Sequence, residues 1–71
     1  MKAVNLAMRR SHRRMASAGD FSANRAYELI EEATGTDRET ARWLFAFMRI
    51  LNYIVESPFG DFRAAERHEW N

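Results

Sequence analysis

The chain has 71 residues, of which 46% are hydrophobic and 13% aromatic, so it is long enough for one domain and apolar enough to fold. Eleven Lys and Arg residues against ten Asp and Glu give a formal net charge of +1, which excludes a uniformly basic, histone-like protein. Cysteine is absent, which excludes disulfide bonds, thiolate metal sites and a cysteine nucleophile.

Chain length also bears on oligomeric state and location. Chains below roughly 70–80 residues commonly gain stability from disulfides, a metal or self-association. Disulfides are excluded and metal ligands are sparse, so we expect a homodimer. The longest apolar run, residues 43–48, is far shorter than a membrane span of about 20 residues. The N-terminus lacks the apolar stretch of a signal peptide, so we expect a cytoplasmic protein with no membrane partner.

The first predicted element is an amphipathic helix over about residues 1–18, ended by Gly19. Its apolar face carries Met1, Val4, Met8, Met15 and Ala18. The opposite arc carries the basic residues Lys2, Arg9, Arg10, Arg13 and Arg14. Residues 1–14 therefore hold five positive charges and no acid, whereas the remainder holds six positive and ten negative charges.

The second predicted helix covers about residues 20–34. Asp20 or Ser22 can cap its N-terminus, and Gly35 closes it. Its apolar stripe consists of Phe21, Ala23, Ala26, Tyr27, Ile30 and Ala33.

A long third helix, about residues 37–56, is predicted to lie at the centre of the fold. Thr36 and Glu39 have the spacing of a capping box. The wide apolar arc of this helix contains Trp43, Leu44, Phe47, Met48, Ile50, Leu51, Ile54 and Val55. Phe45 and Tyr53 fall outside that arc, on the polar side.

A short C-terminal helix is predicted after Ser57 and Pro58, held by the aromatic residues Phe59, Phe62 and Trp70. No segment alternates with the period of two that indicates a strand. The predicted fold is therefore all-α, a single domain over residues 1–71 built as a small three-to-four-helix bundle.

The basic cluster of the first helix is the first candidate site. The guanidinium groups of Arg9, Arg10, Arg13 and Arg14 suit an acidic protein surface or phosphates. The alternative is a solvated face, partly paired with acids of the second helix. Binding to a membrane surface is a third interpretation, disfavoured because the helix lacks the aromatic residues of interfacial helices.

The second candidate site is the segment Gly-Thr-Asp-Arg-Glu-Thr-Ala-Arg-Trp-Leu, residues 35–44. It resembles the turn and recognition helix of helix-turn-helix DNA-binding proteins, over residues 30–44. In that family a glycine makes the turn and polar side chains at the start of the next helix reach base edges. The resemblance implies that Arg38, Glu39 and Arg42 contact DNA. The alternative is that Gly35 is an ordinary helix end.

The third candidate site is an interface along the third helix. Tryptophan, tyrosine and arginine are enriched among the interface residues that dominate binding energy. The candidate interface residues are Trp43, Phe45, Phe47, Arg49, Tyr53 and Trp70. The alternative is a compact monomer whose core uses all of these rings.

Catalytic and metal sites are not indicated. His12 lies among arginines, and His68 has no second histidine at helical spacing. We therefore expect no enzyme activity, no cofactor and no bound metal. The first functional hypothesis is a small regulator or inhibitor that binds a larger, acidic protein, with a phage or mobile-element accessory protein as the expected context. The second is a helix-turn-helix-like DNA-binding transcriptional regulator.

Overall fold

The computed structural model describes residues 2–66 as three helices followed by a β-hairpin. The helices are α1 (Lys2–Ala16), α2 (Ala23–Thr34) and α3 (Arg38–Ile50), and the strands are β1 (Ile54–Glu56) and β2 (Phe62–Ala64). The predominantly helical composition that we predicted is confirmed. The prediction that the fold is exclusively helical is wrong, because the chain forms a two-stranded antiparallel sheet after α3.

Helix α1 packs through a narrow stripe of side chains spaced three or four residues apart. Met8, Ser11 and Met15 are all at most 1% exposed. The helix ends at Ala16, and the N–H of Ala18 donates to the carbonyl of Met15 at 3.0 Å. Gly19 then reverses the chain with a φ of 71°.

Helix α2 begins at Ala23 and not directly after Asp20, because Phe21 is extended and forms an isolated bridge with Phe62. Ser22, not Asp20, is the N-cap, and its side chain accepts from the N–H of Arg25 at 3.2 Å. The backbones of Phe21 and Phe62 exchange two hydrogen bonds of 2.8 Å. This bridge ties the α1–α2 connection to β2.

The cap of α3 differs from the predicted one. Asp37 is the N-cap, and its carboxylate accepts from the N–H of Thr40 at 2.9 Å. The hydroxyl of Thr36 instead bonds that of Thr34 at 2.8 Å. The predicted capping box of Thr36 and Glu39 is therefore wrong.

Helix α3 is shorter than the predicted helix of about residues 37–56. It ends at Ile50, and Asn52 takes a left-handed conformation with a φ of 62°. Asparagine tolerates this conformation better than most residues. The N–H of Tyr53 then donates to the carbonyl of Met48 at 2.8 Å, and the chain continues as β1. The β-branched side chains of Ile54 and Val55 suit an extended strand.

The hairpin replaces the start of the C-terminal helix that we predicted after Pro58. Its strands pair Ile54 with Ala64 and Glu56 with Phe62. The hydroxyl of Ser57 accepts from the N–H groups of Phe59 (3.2 Å) and Asp61 (3.3 Å) and so organises the tip. Trp70 lies outside the described residues.

One apolar core joins all five elements. Its members include Met8, Met15, Phe21, Ala26, Leu29, Ile30, Leu44, Phe45, Met48, Ile54 and Phe62. Phe45 contradicts the predicted polar position, since it is 4% exposed and contacts Tyr27 and Phe62 edge to face at 5.5 and 5.0 Å. Trp43 and Ile50, predicted on the apolar arc, are 50% and 74% exposed. The inward face of α3 is therefore rotated from the predicted one.

Candidate functional site

Helix α2 separates the charged surfaces of α1 and α3. Glu31 and Glu32 are consecutive, so they project about 100° apart around the helix. Glu31 forms an ion pair with Arg38 of α3 at 2.9 Å, and Glu32 forms one with Arg14 of α1 at 2.7 Å. Helices α1 and α3 thus flank α2 on different sides, and the α2 glutamates lie between the two surfaces.

A cleft of about 370 Å³ lies between the first turns of α2 and α3. It is lined by Ala23, Asn24, Tyr27, Arg38 and Arg42. The guanidinium carbon of Arg38 lies 5.6 Å from the centre of the Tyr27 ring. The cleft therefore combines amide, phenol and guanidinium groups that can donate hydrogen bonds.

The three residues predicted to contact DNA all lie on exposed positions in the first two turns of α3. Arg38 is oriented by its ion pair with Glu31. Within residues 2–66, Arg42 forms no ion pair. Glu39 is an acidic residue in the first helical turn, where it complements the helix dipole. The structure thus brings Arg38 and Arg42 to one cleft, where Arg42 is exposed.

The arginine cluster of α1 is exposed at all four positions. Only Arg14 has an acidic partner in the described part of the chain, namely Glu32. Arg9, Arg10 and Arg13 have none among residues 2–66. The predicted pairing with α2 acids therefore applies to one arginine of the four.

The acidic residues of α2 pair mainly with arginines outside the α1 cluster. Arg25 contacts Glu28 at 3.0 Å and Glu32 at 3.5 Å. The hydrogen bond from Arg14, aided by the charges of Arg14 and Arg25, holds the pKa of Glu32 below its ordinary value, although desolvation opposes this shift. The hydrogen bond to Glu28 likewise raises the pKa of Arg25. Glu28, Glu31 and Glu32 are thus all paired, and none of them pairs with Arg9, Arg10 or Arg13 within residues 2–66.

The predicted interface residues do not form one surface. Trp43 is half exposed and contacts Phe47 edge to face at 5.3 Å, whereas Phe45 belongs to the core.

The predicted interface residues Arg49 and Tyr53 contact other elements. Arg49 pairs with Glu56 at 3.2 Å, and its guanidinium carbon lies 5.1 Å from the centre of the Phe62 ring. Tyr53 is partly buried, with its ring 6.2 Å from that of His12. An apolar strip on α3 consists of the exposed side chains of Trp43 and Ile50 and the partly buried Phe47.

Three residues at the surface or lining the cleft are absent from the site candidates that the sequence predicts. Phe59, at the hairpin tip, is 92% exposed, and Asn24 and Tyr27 line the α2–α3 cleft. The Pro-Phe-Gly sequence around Phe59 is a turn signal that favours a hairpin tip. Asn24 and Tyr27 follow from no short motif, because only packing of α2 against α3 places them there.

The described residues contain no group of three or more His, Asp or Glu side chains that could hold a metal ion. The Nε2 atom of His12 lies 2.7 Å from the carbonyl oxygen of Ala65, so this ring links α1 to the residues after β2. Within the same residues, no helix is both long and apolar enough to cross a bilayer.

Comparison of the chain with known protein families, with curated proteins and with solved structures found no match.

Proposed function

We propose that the protein is a non-enzymatic DNA-binding regulator that reads duplex DNA with the start of α3. The observation that carries this proposal is the connection between α2 and α3. Three residues, 35–37, join the two helices, and Gly35 takes a φ of 69° while its N–H donates to the carbonyl of Glu31 at 2.8 Å. A three- or four-residue turn with glycine is typical of helix-turn-helix units.

The dimensions of α3 support this proposal. A helix over residues 37–56 would be too long and too apolar to lie in a groove. The observed helix has 13 residues, about 20 Å at 1.5 Å per residue. Its first two turns expose Arg38, Glu39, Thr40 and Arg42. A recognition helix contacts base edges through its N-terminal residues, where these polar side chains lie.

The elements around this unit also support it. The hairpin follows α3 directly, and the Phe21–Phe62 bridge braces it against the segment before α2. The bridge therefore connects the segment before α2 with the hairpin after α3 and holds the two ends of the unit together.

In this proposal, three side chains that line the α2–α3 cleft have separate roles. Arg42 is the principal reader, because guanidinium groups bond guanine edges with two hydrogen bonds. Asn24, in the first turn of α2, contacts a phosphate, since the first helix of the unit crosses the DNA backbone. Arg38 supplies positive charge beside them, oriented by Glu31.

Fluorescence anisotropy with a random 30-base-pair duplex tests the proposal. We expect binding at 50 mM salt that weakens steeply by 200 mM, with a slope of about 0.9 per neutralised phosphate on logarithmic axes. Arg42→Ala should weaken binding, because it removes the proposed hydrogen bonds to base edges. Arg13→Ala on α1 is the matched control and should bind as the parent does. No binding at 50 mM salt, or equal losses in both variants, would contradict the proposal.

A second candidate function is regulation by contact with an acidic protein. The supporting observation is that Arg9, Arg10 and Arg13 have no acidic partner within residues 2–66. Because α2 lies between the α1 and α3 surfaces, one chain can carry both activities.

We also propose that the protein forms a homodimer through the α3 strip of Trp43, Phe47 and Ile50. An exposed isoleucine and a half-exposed tryptophan on one helix favour burial in an assembly. Sedimentation at micromolar concentration should show a species of twice 8.3 kDa. A species of 8.3 kDa alone would contradict the dimer.

A further inference from the structure

The outward direction of the α1 arginines is imposed by the core. Met8, Ser11 and Met15 are at most 1% exposed, so α1 cannot rotate without exposing them. Arg14 is held at the α2 border by its 2.7 Å contact with Glu32. The remaining arginines, Arg9, Arg10 and Arg13, therefore face solvent as a set.

An exposed leucine belongs to the same surface. Leu6 is 49% exposed and precedes Arg9, Arg10 and Arg13 by three, four and seven positions. Residues at these spacings lie on one face of a helix. We name the four residues the α1 face. It presents one apolar side chain beside three guanidinium groups within about two helical turns.

We infer that the α1 face binds an acidic segment of another protein, with an apolar side chain of that segment seated on Leu6. This inference rests on the second candidate function and names the chemistry of its partner. Guanidinium groups bind carboxylates through two parallel hydrogen bonds, so the three unpaired arginines complement acidic side chains.

The surroundings of the α1 face favour a protein segment over a DNA backbone. Residues 2–16 contain no acid, and Glu32 and Glu28 across the border on α2 are paired with Arg14 and Arg25. A duplex that covers the face would bring phosphates against the apolar side chain of Leu6, which cannot bond them. A narrow peptide covers the arginines and Leu6 alone, and it gains from burying the leucine side chain.

The two kinds of contact predict separate kinetic effects. Exposed charges raise the association rate and are screened by salt, whereas a buried apolar contact mainly slows dissociation. Substitution of Leu6 should therefore change mainly the dissociation rate, and substitution of the arginines should change mainly the association rate.

Anisotropy with labelled 12-residue peptides tests the inference. The probe is a peptide rich in Glu and Asp with a central leucine; its controls replace that leucine by serine, or every acid by its amide. We expect the acidic leucine peptide to bind, with affinity reduced at least about tenfold by Arg10→Glu with Arg13→Glu. Leu6→Ser should weaken the leucine peptide several-fold and leave the serine peptide unchanged.

Control measurements separate this inference from the DNA proposal. Arg42→Glu on α3 should leave peptide binding unchanged, and the α1 double variant should retain duplex binding. Circular dichroism should show parental helicity; if the double variant fails to fold, Arg10→Gln with Arg13→Gln replaces it. The inference is overturned if the acidic leucine peptide does not bind, if Leu6→Ser affects both acidic peptides equally, or if the double variant loses duplex binding instead.

Discussion

At the scale of single residues, Asp37 orients the helix that carries the proposed DNA contacts. Its carboxylate accepts from the N–H of Thr40 at 2.9 Å and satisfies a donor that has no partner within the helix. The acid also lies at the positive end of the helix dipole. The first turn of α3, and with it Arg38, therefore depends on this cap.

Replacing Asp37 by alanine should lower the melting temperature by several degrees, because removal of a helix cap typically has an effect of that size in a small domain. Thermal unfolding followed by circular dichroism measures the change. Thr36→Ala is the control, since the hydroxyl of Thr36 does not cap α3 and bonds Thr34 instead. If Thr36→Ala caused the larger loss, the assignment of the cap would be wrong.

The same carboxylate should make stability depend on pH. The hydrogen bonds that Asp37 accepts from Thr40 hold its pKa below the ordinary value. Because the pKa is lower in the folded state, the stabilisation is complete above the unfolded pKa and is lost as the pH falls through the folded pKa. Asp37→Asn keeps a capping side chain that does not titrate.

The melting temperatures of the parent and Asp37→Asn should therefore converge as the solution is acidified from neutral pH. Parallel thermal scans of the two proteins measure this convergence. A constant difference across the acidic range would show that the charge of Asp37 does not stabilise the fold.

Residue-level predictions succeeded where local chemistry decides and failed where packing decides. Ser22 was one of two predicted caps of α2, and it is the cap observed. The sequence predicts the wrong sides for Phe45 and Trp43, because the apolar arc of α3 is too wide to define its inward direction. That direction depends on Tyr27 and Phe62, which are distant in sequence and contact Phe45.

At the scale of elements, Gly35 decides how α2 meets α3. It takes a φ of 69°, a left-handed conformation that is unfavourable for residues with a Cβ atom. A Cβ built there would meet nothing within 4 Å, so the backbone conformation is the only obstacle to substitution.

Gly35→Ala should destabilise the protein by about 1 kcal/mol through backbone strain. Gly35→Asn should cost less, because asparagine adopts the left-handed conformation more readily. Urea unfolding of both variants gives the free energies. Equal stability of Gly35→Ala and the parent would indicate that the turn adopts another backbone conformation in the variant. In that case the helix-turn-helix proposal predicts that the variant binds duplex DNA more weakly.

Whether the sequence predicts an element correctly depends on how many of its residues repeat the hydrophobic spacing of a helix or a strand. Three helices were predicted where three or more turns repeat an apolar spacing, and three are observed in residues 2–66. Each strand has only three residues, too few for an alternating pattern to be recognised. The sequence therefore predicts that the helix continues through the apolar residues Ile54 and Val55. The observed helix α3 ends at Ile50, and Asn52 then takes a left-handed conformation.

At the scale of the whole molecule, α1, α2, α3 and the hairpin share one core. Ile30 is fully buried at its centre, whereas Ile50 is 74% exposed on the α3 strip. The two residues have the same side chain and lie on neighbouring helices, so they form a matched pair for testing the architecture.

Ile30→Ala should lower the free energy of unfolding by about 2–5 kcal/mol, since it leaves a cavity in the core. Ile50→Ala should change the monomer by no more than about 0.5 kcal/mol. Urea unfolding at several protein concentrations measures both. A large, concentration-dependent loss for Ile50→Ala would place Ile50 in an interface and support the proposed homodimer.

The sequence alone determined that this chain is predominantly helical, where α2 ends and where positive charge concentrates, because these properties depend on neighbouring residues. Only the tertiary structure decided that the chain after α3 turns into a hairpin, that Phe45 rather than Trp43 faces inward, and that the α1 and α3 surfaces lie on different sides of α2. Those outcomes depend on contacts between residues far apart in the chain, such as Phe21 with Phe62 and Arg14 with Glu32, which no local pattern specifies.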